Sequence, residues 1–145
     1  AIASHTIGGE SAMAEIEILQ NEEFNLNKFI WVHADSEPDL DFHFQAASLG
    51  VYLEYDSIGN PESDQSTIDI VLQMLEQGFG DQVLLSHDAG WFQPVRPGGE
   101  PEHGFRGFTA LSRKFIPQLK KNGVEQQTLQ LITEENPKRV FAMPV

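Results

Sequence analysis

The chain is 145 residues long, 40% hydrophobic and 21% charged, with 12 glycines and 8 prolines, which fits one ordinary globular domain and excludes a disordered, fibrous or repetitive protein. Nine Lys and Arg against 22 Asp and Glu leave a formal charge of -13, a field that repels phosphate backbones and anionic lipid, so neither nucleic acid nor a membrane is an expected partner. The absence of cysteine rules out a disulfide framework and a thiolate metal site, leaving His, Asp, Glu or a modified side chain to hold any metal.

The first strand is expected at about Ala1 to Thr6. Ala1 is not a Met and the opening residues already read as a strand in progress, so the natural chain is expected to begin upstream. No charged-then-apolar leader opens it and no apolar run reaches the roughly 18 residues of a spanning helix; the compartment cannot be read from such a beginning. Gly8-Gly9 makes a turn, and Ser11 is placed to cap a helix with Met13, Ile16 and Leu19 on one face. Phe29 to His33 forms the second strand. Its helix follows Glu37-Pro38 with the proline in the first turn and carries Leu40, Phe44, Ala47 and Ser48 to a stop at Gly50.

Val51 to Tyr55 is the third strand, followed by a turn at Gly59-Asn60-Pro61. A helix over Ser66 to Gln77 carries Ile68, Val71, Leu72 and Leu75 spaced three and four apart, with Gly78 as its stop. Gln82 to Ser86 is the fourth strand. A Gly/Pro-rich loop, roughly Ala89 to Gly104, leads to a helical region over Phe108 to Lys121 and a shorter helix near Gln126 to Glu134. Four strand-helix units imply a parallel sheet covered by helices. That sheet is either a complete open sheet or an arc of a barrel of about 250 residues.

Polar residues with metal chemistry fall at or just past successive strand ends: His5, His33, Asp56 and Asp88. In a parallel α/β arrangement these ends form one ligand-binding face. Two imidazoles with one or two carboxylates suit Zn, Mn, Fe or Co. A single strand-end histidine is more often a hydrogen-bonded structural residue, but four such positions in register are harder to dismiss. His43 reads as a partly exposed helix residue. His87 should point away from Ser86 and pack against a helix. In the loop beyond Asp88, Trp91 and Phe92 could wall an apolar pocket or cover the core, and His103 could reach a substrate.

The strand-end segments Ser4-His5-Thr6, Val32-His33-Ala34-Asp35, Leu53-Glu54-Tyr55-Asp56 and Leu85-Ser86-His87-Asp88, in this order and spacing, resemble strands five to eight of the phosphotriesterase-like enzymes of the amidohydrolase superfamily. The run from Phe115 to Val124 and Glu135-Asn136-Pro137 are similar too. The resemblance implies that residues 1–145 form the C-terminal half of a TIM (β/α)8 barrel. It implies a binuclear divalent-metal site, zinc first with Mn, Co or Fe as alternatives. His5 and His33 would hold one metal and Asp88 the other, with a bridging hydroxide as nucleophile and Asp88 receiving its proton. Asp56 would orient a ligand or the base.

Two departures stand out. The family's His-x-His pair and carboxylated lysine belong to segments this sequence does not contain, so its site is half-built and the chain alone is expected to be inactive or weakly active. Ser57 stands where paraoxon-hydrolysing members carry a relay histidine, which tilts the expectation towards a lactone or another ester. A half barrel would expose unpaired edges and lose the filling of its concave face, so either a missing N-terminal half or self-association of two half barrels is expected. Two other classes stay open: a ligand-binding protein on the same scaffold, and an autonomous α/β domain whose strand-end residues are incidental.

Overall fold

Each expected strand is present, slightly shortened, in a computed structural model that describes residues 1–90, 92–100 and 106–142. They are β1 (Ile2–His5), β2 (Phe29–Val32), β3 (Tyr52–Tyr55) and β4 (Val83–Leu85). All neighbours pair in parallel in the order β1-β2-β3-β4. Helices α1 (Gly9–Asn21), α2 (Leu40–Ser48) and α3 (Asp64–Glu76) make the crossovers.

Strand side chains alternate between two faces, and the burial follows that alternation. Phe29, Trp31, Leu53, Tyr55 and Val83 pack with Ala12, Ile16, Ala46, Ala47, Ile68, Val71 and Met74 of the helices. Ile30, Val32, Tyr52 and Leu84 face the other way and form a second buried cluster with Val140. The concave face therefore keeps this filling at β2, β3 and β4, while Ala3 and His5 of β1, on the same face, are exposed, as a half barrel would leave them. The edges behave as expected, because among the described residues β1 pairs only with β2 and β4 only with β3.

The residue Val140 comes from the chain's end, which is more helical than its sequence suggests. A π-helical turn (Leu111–Phe115) runs into α4 (Ile116–Lys121), and α5 (Gln126–Gln130) continues through a second π turn (Leu131–Glu135) into α6 (Asn136–Phe141). Pro117 and Pro137 stand in the first turns of α4 and α6. A proline has no N–H to give the preceding turn, so the helix passes it through a widened turn rather than ending. Two long-range ties then seat α6. Asn136 Nδ2 donates to the carbonyls of Gly80 and Val83 at 2.8 and 2.9 Å, and Lys28 Nζ donates to those of Arg139 and Val140 at 2.7 and 3.0 Å.

Helix starts also differ from expectation. Ser11 lies inside α1, whose N-cap position is Gly8 at φ 99°. The N–H of Gly9 is taken by Glu37 Oε2 at 2.6 Å, and a Cβ on Gly9 would collide with the ring of Phe42, so the close approach of α1 to α2 at this point needs a glycine. Pro38 precedes α2 instead of opening it, because Asp39 accepts from Asp41 N at 3.0 Å and supplies the cap. Gly78 follows α3 at φ 82° as the expected stop.

His43 is the main correction. It is fully buried rather than at the surface, because α2 turns His43, Ala46 and Ala47 towards the sheet. Its Nε2 lies 3.0 Å from the Glu37 carbonyl, which can only accept, so Nδ1 is left to accept from Tyr55 Oη at 3.2 Å. Both nitrogens are satisfied in the neutral ring. Burial, opposed by the Glu37 carbonyl and nearby carboxylates, holds its pKa below the ordinary histidine value. The unfolded chain then binds a proton before the folded one does, so stability is full above the unfolded pKa and falls as pH drops below about 6.5. The stability lost through His43→Gln, read by chemical denaturation, should therefore be smaller at pH 5 than at pH 7.5.

Candidate metal centre

The site grows out of the C-terminal edge of the sheet. His5 is the last residue of β1 and pairs with Val32 in register. Its position is braced from behind: Trp31 Nε1 donates to the Thr6 carbonyl at 2.8 Å, and Thr6 Oγ1 donates to Glu15 at 2.9 Å. His33 follows β2 in the left-handed region, φ 63° and ψ 30°, an uncommon conformation for a residue with a side chain.

Asp56, just beyond β3 and 4% exposed, holds that turn. A single oxygen, Oδ2, accepts both from the His33 backbone N at 3.0 Å and from its Nδ1 at 2.8 Å. Nδ1 thus carries the proton and Nε2 keeps its lone pair. That Nε2 points at His5 Nδ1, 3.0 Å away, with the two rings edge to face. The nitrogens that would share one cation already converge.

The Asp88 carboxylate is exposed on the same rim, and His33, Asp56 and Asp88 offer ligand atoms all within 4.8 Å of one another. His5 stands outside that trio and touches it through His33. Burial lowers the His33 pKa, but the hydrogen bond and charge of Asp56, with Asp88 and Asp35 behind it, outweigh this and raise it on balance. Burial raises the Asp56 pKa, and His33 opposes that rise.

Other expected residues fall differently. His87 accepts from the backbone N of Leu111 through Nε2 at 3.1 Å, so it serves the start of the next helical segment. Phe92 is 67% exposed and its ring lies over Gly99 within its own loop; it does not line the rim pocket that holds His33, Asp56 and Asp88. Trp91 and His103 lie outside the described residues. Sequence reasoning gave no role to Asp35 or Arg106, which both line that pocket. Asp35 Oδ2 accepts from Ser57 N at 2.9 Å and steadies the turn carrying Asp56. Its place two residues after His33 was the only available signal; Arg106 sits in a loop with none.

A parallel βα sheet whose strand ends gather imidazoles and carboxylates has the architecture of a metallohydrolase barrel. The phosphotriesterase family model matches residues 1–141, and the chain belongs to that family. The phosphotriesterase homology protein of Escherichia coli (strain K12) is 27% identical over 142 residues, which are 97% of this chain and 47% of that protein. The N-acetyltaurine hydrolase of Danio rerio is 26% identical over 137 residues, 86% of this chain and 38% of that protein. A substituted form of the PTE-like lactonase of Deinococcus radiodurans superposes with a TM-score of 0.84 at 25% identity, over 97% of this chain and 47% of that one. The chain thus spans about half the length of the relatives it matches, and its sheet is half of a (β/α)8 barrel.

The Asp56 contact generates a test of its own. Asp56→Asn replaces an acceptor that fixes the His33 ring, so Co2+ affinity, read by the visible absorption of the bound ion, should fall about 10- to 100-fold. An unaltered affinity would show that His33 does not depend on Asp56.

Proposed function

We propose that this chain is the C-terminal half, strands five to eight, of a metal-dependent hydrolase of esters, lactones or phosphotriesters. The observation that carries the reading is the approach of His5 Nδ1 and His33 Nε2 to 3.0 Å beside the Asp56 and Asp88 carboxylates. These donors fit a divalent metal: two imidazole nitrogens and oxygen ligands suit zinc first, and Mn, Co or Fe as well. His5 and His33 would hold one ion and Asp88 a second. Asp56 acts through His33, since its Oδ2 is already engaged by that residue twice.

When bound, the metal supplies Lewis acidity and makes water a nucleophile at neutral pH. The chain's own residues do the rest. Asp56 keeps the proton on His33 Nδ1, so that Nε2 stays an electron-pair donor. Asp88, exposed on the rim, receives the proton released as water attacks, in the role of general base. A carbonyl substrate is favoured by the lactonase and N-acetyltaurine hydrolase names of similar proteins and by Ser57 at the position where a relay histidine serves phosphotriester hydrolysis. The remaining ligands come from an N-terminal half or from a second copy across the unpaired edges of β1 and β4.

Metal content by elemental analysis after dialysis tests the reading. About one ion per chain is expected for the His5/His33 pair, and about two where another segment or copy completes the site; none would sink the proposal for this chain. In the completed enzyme, Asp88→Asn should lower turnover of a lactone by at least about 100-fold, and unchanged turnover would remove Asp88 from the mechanism.

A further inference from the structure

Two candidate ligands, His33 and Asp88, have left-handed backbones just past their strands, at φ 63° and 37°. Both are costly for residues with a side chain and persist only where surrounding contacts hold them. At His33 the holding group is Asp56, which takes the backbone N–H. Asp88 is held from the opposite polarity. Arg106 Nη2 donates to the carbonyls of His87 and Asp88, each at 2.7 Å, and Arg106 N donates to the carbonyl of Ala89 at 2.9 Å. One residue therefore grips three consecutive carbonyls around the strained position.

We propose that Arg106 is a positioning residue of the site: its grip on the carbonyls of residues 87–89 stabilises the left-handed turn at Asp88 and so fixes where the Asp88 carboxylate points. A guanidinium suits this task, because one planar nitrogen group presents two hydrogens to two adjacent carbonyls without any charge being lost. Its own N–H closes the third contact. The position is also at the far end of the long loop that leaves β4, so the same contacts shut the neck of that loop. His87, bound to Leu111 N at 3.1 Å, draws the next helical segment to the same place. Arg106 reaches the chemistry only through the backbone of Asp88, and this inference rests on the reading of Asp88 as ligand and base given above.

Backbone strain gives a test that needs neither metal nor activity. Asp88→Ala keeps a Cβ in the left-handed turn, whereas Asp88→Gly removes it and with it the strain; neither carries a carboxylate, so charge is equal in the two. Arg106→Gln is placed in each background and unfolding is followed in denaturant. It should shift the folded-to-unfolded ratio about fivefold less in the alanine chain than in the glycine chain, because without the grip the alanine turn leaves the left-handed region and recovers a strain that the glycine turn never carried. Equal costs would overturn the proposal. With Asp88 restored and the site completed to two ions, Arg106→Gln should weaken binding of the second Co2+ about 10-fold and leave the first unchanged, and unchanged binding of the second would also overturn it. A wild-type chain that takes up no Co2+ removes the metal reading instead, while the alanine and glycine comparison still decides the role of Arg106.

Discussion

The site depends on one carboxylate oxygen. Asp56 Oδ2 accepts from both the backbone N and the ring Nδ1 of His33, so it fixes the left-handed turn after β2 and the tautomer of the imidazole in one step. A buried carboxylate is costly unless it is paired and hydrogen-bonded, and His33 meets both needs. The direction of dependence runs back into the sheet: Asp56 is placed by β3, β3 by its register with β2, and the turn beyond it by Asp35 on Ser57 N. A shift of that register would separate the histidine from its partner and leave the carboxylate buried alone.

The rest of the fold makes that register hard to change. Parallel strands buried on both faces must be apolar almost throughout, and β2 is, with Phe29, Ile30, Trp31 and Val32 all buried. Slipping β2 by one residue would exchange the face packed on the helices for the face packed on Val140. The terminal helix completes the argument, since Asn136 and Lys28 anchor it by side chains to backbone carbonyls far away in sequence. Four βα units thereby cover both faces of β2 and most of β3 and β4, and they leave β1 largely exposed and, among the described residues, each edge strand paired on one side only.

Much of this was legible in the sequence, for reasons of period and position. Short apolar runs mark strands, and a polar residue ending such a run must lie at the strand's end, so His5, His33, Asp56 and Asp88 could be placed on one rim without coordinates. His43 could not, because the same helix allows several apolar faces and only the rings of Trp31 and Tyr55 show which one meets the sheet. Arg106 was invisible for a different reason: its partners are backbone carbonyls, which every sequence has. The π turns before Pro117 and Pro137 likewise depend on packing that keeps a helix going past a proline.

The electrostatics of the rim decide what it can hold. Asp56, Asp88 and Asp35 together favour a proton on His33, which at first sight opposes metal binding, since ligation needs a free nitrogen. The neutral ring already holds its own proton on Nδ1 against Asp56, so the proton they favour is the second one, on Nε2, the atom a metal would use. Protonating Nε2 adds one positive charge to the cluster, while a divalent ion at the same place adds two, and attraction to fixed carboxylates grows with the charge attracted. Aspartates around one tautomer-locked histidine would therefore attract a dication more strongly than a second proton, and less so as acid neutralises them. The cluster's surplus of negative charge and its single oriented imidazole are two parts of the same preference.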